Sequence, residues 1–246
     1  MFDLPRNIWV LFCAQAFGSC GTITVITIGG IVGAVMAPEE SLATAPVTAM
    51  ILGVAITTIP AAMVMQRVGR RAGSIMGTFT AMAGAGLGAY AIAMDNFWLF
   101  VIAMIPIGSN QAFIQQYRFA AIESVDSAAA PRAVSTIMLG AIVAAFVGPE
   151  VGIRAAHALP ESVYAGSFIG LGALYLCSAI ILTQLRVQAT PVVGSSAQGG
   201  ARPLTNVLFQ SITITALLGA AIGYGVMTLL MTATPISMHV HNGFSL

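Results

Sequence analysis

Gln66-Arg67-Val68-Gly69-Arg70-Arg71-Ala72-Gly73 is a short polar stretch between two long apolar runs, and its reading decides the fold. Three of the nine arginines stand here within five residues. An Arg at the centre of a bilayer costs about 2.5–3.5 kcal/mol on insertion scales. The stretch is therefore expected to stay on the cytoplasmic side and to orient the runs around it. Gly69 lets the backbone turn tightly between two helix ends.

Composition agrees with a membrane setting. Hydrophobic residues make up 58% of the chain and charged residues only 7%, against about 25% charged in a soluble domain. Mean hydropathy is +0.93. The chain has no Lys, and its net charge of +1 gives no footprint for nucleic acid. Cys13, Cys20 and Cys177 fall inside apolar runs and read as small packing residues without a disulfide framework.

Seven apolar runs are long enough to cross a bilayer. They cover about residues 8–36, 45–65, 74–94, 97–122, 133–153, 164–185 and 207–233. The first run is too long for a signal-peptide core and reads as a retained, tilted span. Asp95-Asn96 marks a tight hairpin, with Phe97 and Trp98 at the interface. Arg6, Arg67, Arg70, Arg71, Arg132, Arg186 and Arg202 fall on one side of this topology, with only Arg154 on the other. That asymmetry places the N-terminus in the cytoplasm. The expected division is a six-helix bundle over residues 1–186, a Gly/Ser/Pro-rich cytoplasmic linker over 187–206, and a seventh span with an outer tail over 207–246. Gln15, Gly18 and Gly21 in span one are echoed by Gln210, Gly219 and Gly223 in span seven, which suggests a half-repeat of roughly 200 residues.

Polar residues inside the spans are the functional candidates. Gln111, Gln115 and Arg118 lie at i, i+4 and i+7 on one face of span four, flanked by Asn110 and Gln116. Such a row faces a cavity or bonds to neighbouring helices. Gln15, Ser19 and Thr22 repeat the spacing in span one, where hydroxyls also have the option of bonding their own backbone. Gly140, Ala144, Gly148 and Gly152 form a small-residue stripe along span five, and Pro149 is expected to kink it. Glu150 and Arg154 can pair at i, i+4, either as part of a transport path or as an interfacial ion pair. Glu123 at the cytoplasmic end of span four is either a charge partner for Arg67, Arg70 and Arg71 or a solvated carboxylate. His239 and His241, with no acidic or Cys partner, make a poor metal site.

The stretch Arg67-Val68-Gly69-Arg70-Arg71 resembles the basic half of a signature of the major facilitator superfamily, G-x-x-x-D-R-x-G-R-R between spans two and three. Ala62 stands for the first Gly and Gln66 for the Asp. Gly148-Pro149-x-x-Gly152 resembles the antiporter motif of the drug-efflux branches, with Ile153 departing from a second Gly. The resemblance implies an all-α integral membrane fold, a partial twelve-helix bundle, in a bacterial-type inner membrane. It implies a secondary transporter of a small organic solute, on the efflux side, with Gln15, Ser19, Asn110, Gln111 and Gln115 toward the solute. Gln66, Arg67, Gly69, Arg70, Arg71, Arg118 and Glu123 would form the cytoplasmic gate. Proton coupling comes from the resemblance alone, since Met104 stands four residues before Gly108, where many members carry an Arg.

The partners expected are the lipid bilayer, a small-molecule substrate and no cofactor, metal or nucleic acid. The chain shows no H-E-x-x-H, no intramembrane Asp pair and no Gly-x-Ser-x-Gly, so no enzyme constellation is read from it. A retinal protein is excluded because its Schiff base needs a Lys. Alternating access rocks one bundle against another. A second reading is therefore a fragment, or a half that needs a partner chain. A membrane-embedded scaffold is a third, with little loop surface to offer.

Overall fold

A computed structural model describes residues 4–156, 164–186 and 210–236. The chain divides into two units, residues 1–188 and 189–246. Among the described residues there is no strand, and seven helical segments are long and apolar enough to cross a membrane. The protein is an integral membrane protein.

In the first unit, span one consists of α1 (Arg6–Thr24), a π-helical turn (Val25–Gly29) and α2 (Gly30–Met36). Span two is a 3-10 turn (Glu40–Leu42) followed by α3 (Ala45–Val68), and span three is α4 (Arg70–Ala93). Span four joins α5 (Phe97–Gln115) to a short α6 (Tyr117–Glu123). Spans five and six are α7 (Ala130–Ala156) and α8 (Ala165–Thr183). In the second unit α9 (Ser211–Ile236) forms one long apolar helix. The expected linker, His157, Glu161, His239 and His241 lie outside the described residues.

Local chemistry sets the boundaries. Asn96 caps α5, its side-chain oxygen accepting from the Leu99 N–H at 3.0 Å. Asp95 takes a positive φ of 49° in the hairpin before it, a conformation that Asp tolerates better than most residues. In span one the Thr27 hydroxyl donates to the Ile23 carbonyl at 2.9 Å inside the π-helical turn. A hydroxyl of this kind compensates the backbone groups that a π bulge displaces.

The first six spans pack in pairs: one on five, two on four, three on four and three on six. Among these six, span one is the most enclosed, and spans two and five are the least. Two large apolar clusters fill most of the bundle, beside a small one of Ala61, Met65, Ala112 and Phe113. One centres on Phe100, Met104, Phe168 and Tyr175, with the Phe100 and Phe168 rings edge-to-face at 5.3 Å. The other, at the end that carries the arginines, joins Ile8, Leu11, Ile114, Tyr117, Ile137 and Leu182. Asn7 closes that end. It donates to the Arg186 carbonyl and accepts from the Arg186 N–H, both at 3.1 Å.

Candidate functional site

The two polar rows meet. The Thr22 hydroxyl of span one donates to the Gln111 side-chain carbonyl of span four at 3.1 Å. One turn and more away, Gln15 Nε2 donates to Ser19 Oγ at 3.0 Å. Gln15, Thr22 and Gln111 are half-buried, Gln115 and Arg118 are exposed, and Ser19 is buried beneath Gln15. Gln111 and Gln115 lie one turn apart on one side of α5, and Gln115, Arg118 and Ile122 are exposed. Asn110 does not belong to that side. Expected beside Gln111, it is only 1% exposed and faces into the bundle, because consecutive helical residues point 100° apart. Its Oδ1 has no hydrogen-bond partner among the described residues.

At the arginine end the expected loop is a single residue. Gly69 alone separates α3 from α4, with φ +87°, a conformation natural to glycine. Its N–H still bonds the Met65 carbonyl at 3.1 Å. This junction presents Arg70 to Glu123, whose carboxylate takes Arg70 Nη2 at 2.6 Å and Nε at 3.1 Å. The two-point grip is the strong form of an Arg–carboxylate pair, although both side chains keep partial solvent contact. Arg67, Arg71 and Arg118 form no ion pair among the described residues. Gln66 is exposed. Span four breaks at Gln116, where its N–H bonds the Phe113 carbonyl at 3.0 Å, so Glu123 rides on a separate short helix. A cleft of about 400 Å³ beside Glu123 is lined by Leu4, Pro5 and residues 123–126 and 129. It shares no residue with the strip of spans one and four.

The span-five stripe is buried along its length at Gly140, Ala144, Gly148 and Gly152. A Cβ on Gly140 would come within 2.7 Å of the Phe12 carbonyl oxygen, and one on Gly152 within 2.6 Å of Ile28 Cδ1. The stripe is therefore the seat of span one. Beside Pro149, the Gly148 carbonyl accepts from the Thr24 hydroxyl at 3.4 Å. Pro149 stays inside a continuous α7. Glu150 and Arg154 pair at 2.6 Å, both well exposed.

No family model matches the chain, and no solved structure matches it. It is 34% identical over 236 residues to the riboflavin transporter RfnT of Brucella anthropi, covering 96% of this chain and 59% of that protein. It is 26% identical over 253 residues to the uncharacterized MFS-type transporter YddS of Bacillus subtilis, covering 96% and 57%. To YdeG, another uncharacterized MFS-type transporter of Bacillus subtilis, it is 28% identical over 184 residues. The chain is thus similar to transporters of the major facilitator superfamily. It spans less than three fifths of the length of these relatives. All three are named as transporters and none as an enzyme.

Two contacts in this bundle have no clear signal in the sequence. A Cβ on Gly108 would strike the Met50 carbonyl oxygen, and one on Gly53 the Ile105 carbonyl oxygen. Spans two and four thus touch backbone to backbone through reciprocal glycines. Thr57 donates to Ser109 Oγ at 2.9 Å along the same seam. Gly18 and Gly21, noted for repetition alone, admit Ile114 and the Tyr175 hydroxyl against span one. A small residue in a generic apolar run does not say which helix it admits.

Proposed function

We propose that this chain supplies the first bundle of a secondary active transporter that moves a small organic solute by alternating access. The observation that carries the reading is the Thr22–Gln111 bond, which joins the polar rows of spans one and four on the open side of the bundle. Polar groups in a membrane segment belong where water or solute passes. Gln15, Ser19, Gln111 and Gln115 form the solute path, and Asn110 is a packing residue. Arg70 and Glu123 form a latch at the cytoplasmic gate, and the asymmetry of the arginines supports an N-terminus in the cytoplasm of a bacterial-type inner membrane. The relative named a riboflavin transporter makes a flavin the first solute to test. The Gly148-Pro149-x-x-Gly152 resemblance favours outward movement, with protons as the coupling ion.

The test measures riboflavin movement in right-side-out and everted vesicles bearing the product of the complete reading frame. Gln111→Ala should slow movement at least tenfold at low solute, as expected when a hydrogen bond to solute is lost. Equal rates in Gln111→Ala and the parent would sink the path assignment. A second reading is that this chain moves nothing without a second six-helix half, in its own polypeptide or a partner. The exposed Leu52, Ile56, Ile59 and Met63 along span two suit a packing partner as well as lipid. Co-expression with and without a second half separates the two.

A further inference from the structure

Each polar atom along the strip has a direction. Gln111 Oε1 is occupied by the Thr22 hydroxyl, which leaves Gln111 Nε2 as a free donor. Gln115 is exposed, with its amide free to donate. Arg118 follows, exposed, in the first turn of α6 and holds no carboxylate among the described residues. A guanidinium offers five donors and no acceptor. Span four therefore presents two amides with free N–H groups and, beyond them, a cation that can only donate.

Carboxylates are elsewhere. On span four Glu123 is gripped by Arg70. On span five Glu150 is paired with Arg154. Glu39, Asp95 and Asp126 lie in the connections between spans, and Glu40 stands at the first residue of span two. A cationic solute on this strip would meet Arg118 and no free carboxylate from spans one and four. An anionic one would exchange water for a fork of charge-assisted bonds.

We propose that the strip selects an organic anion, and that Arg118 is the residue that reads its negative charge through the donor row Gln111–Gln115–Arg118. This rests on the reading of spans one and four as the solute path. The ligand chemistry is an acceptor-rich planar body carrying a phosphate or carboxylate, with the acidic group toward the arginine end. Arg118 is exposed, so its replacement leaves the packed core untouched.

The experiment uses vesicles bearing the product of the complete reading frame, with three planar tricyclic probes of different charge. These are flavin mononucleotide (anionic), riboflavin (neutral) and acriflavine (cationic). The half-maximal concentration of each is measured for the parent, Arg118→Gln and Arg118→Lys. The expected result is flavin mononucleotide acting at concentrations about tenfold or more below riboflavin, and acriflavine weakest. Arg118→Gln should collapse the anion-to-neutral ratio toward one, and Arg118→Lys should retain most of it. Acriflavine matching flavin mononucleotide, or a ratio unmoved by Arg118→Gln, overturns the charge assignment while the path reading stands. Absence of movement for all three probes overturns the path reading, and this inference with it.

Discussion

Arg70 and Glu123 are 53 positions apart in the chain, yet the Arg70 guanidinium closes on the Glu123 carboxylate at two points, 2.6 and 3.1 Å. The pair ties the first turn of span three to the last residue of α6. Partly exposed ion pairs contribute about 0.2–1 kcal/mol, too little to hold the fold together. An interaction of that size is enough to bias two states of similar energy. Glu123→Gln should therefore lower unfolding stability by no more than about 1 kcal/mol while changing the labelling rate of a cysteine placed at position 67 or 71. The swapped pair Arg70→Glu with Glu123→Arg should restore the parent labelling rate. Unchanged labelling in Glu123→Gln would show that the pair is not a latch.

The seam between spans two and four gives a stability prediction. Gly53 and Gly108 each face a carbonyl oxygen of the other helix, so an added methyl group meets backbone, which cannot rotate away. Gly108→Ala should destabilise the bundle by about 1–3 kcal/mol, the range for overpacking. Gly86→Ala is the matched control. A Cβ there finds nothing within 4 Å, and Ala is the better helix former. Thermal unfolding in detergent should separate the two, with Gly108→Ala melting first. If they melt together, the backbone contact is looser than described.

The arginine end was legible because charge is scarce in this chain. With only 7% charged residues, every Arg but Arg118 marks a boundary, and the seven spans follow from apolar run length. The pairing of Glu123 was legible as one of three partners, and only the single-residue turn at Gly69 selects Arg70. The break at Gln116 was not legible, since Gln115-Gln116-Tyr117 carries no Pro or Gly to announce it. The burial of Asn110 was not legible either. Two adjacent amides look alike in sequence, and which one faces the core depends on the rotation of the helix against its neighbours.

The stripe of span five offers a test of its assignment. Gly152 accepts the Ser167 hydroxyl at its carbonyl at 2.7 Å and admits Ile28 over its Cα. Gly152→Ala should force Ile28 to shift, and the loss in stability should shrink when Ile28→Val removes the terminal methyl. A double-mutant cycle reads the coupling directly, with about 0.5–1.5 kcal/mol expected for that methyl. Additive losses would mean that span one is seated by something other than this stripe.

Asn110 and Gln111 are neighbours in sequence with opposite surroundings, and the contrast divides packing from solute handling. Asn110 Oδ1 is buried without a partner among the described residues, a burden of about 1–3 kcal/mol where no water compensates it. Leu has the branching of Asn and no polar atom but is bulkier, so Asn110→Leu sets the relief of that burden against overpacking, and melting should stay within about 1–3 kcal/mol of the parent. Flavin movement should persist in the same variant. Gln111→Ala should do the reverse, with melting close to the parent because the side chain is half-buried, and with solute movement slowed. Measured together on vesicles and in detergent, the two variants should fall in opposite corners of a plot of transport against melting temperature. If Asn110→Leu abolishes movement while melting normally, Asn110 touches solute, and the path extends to both faces of span four.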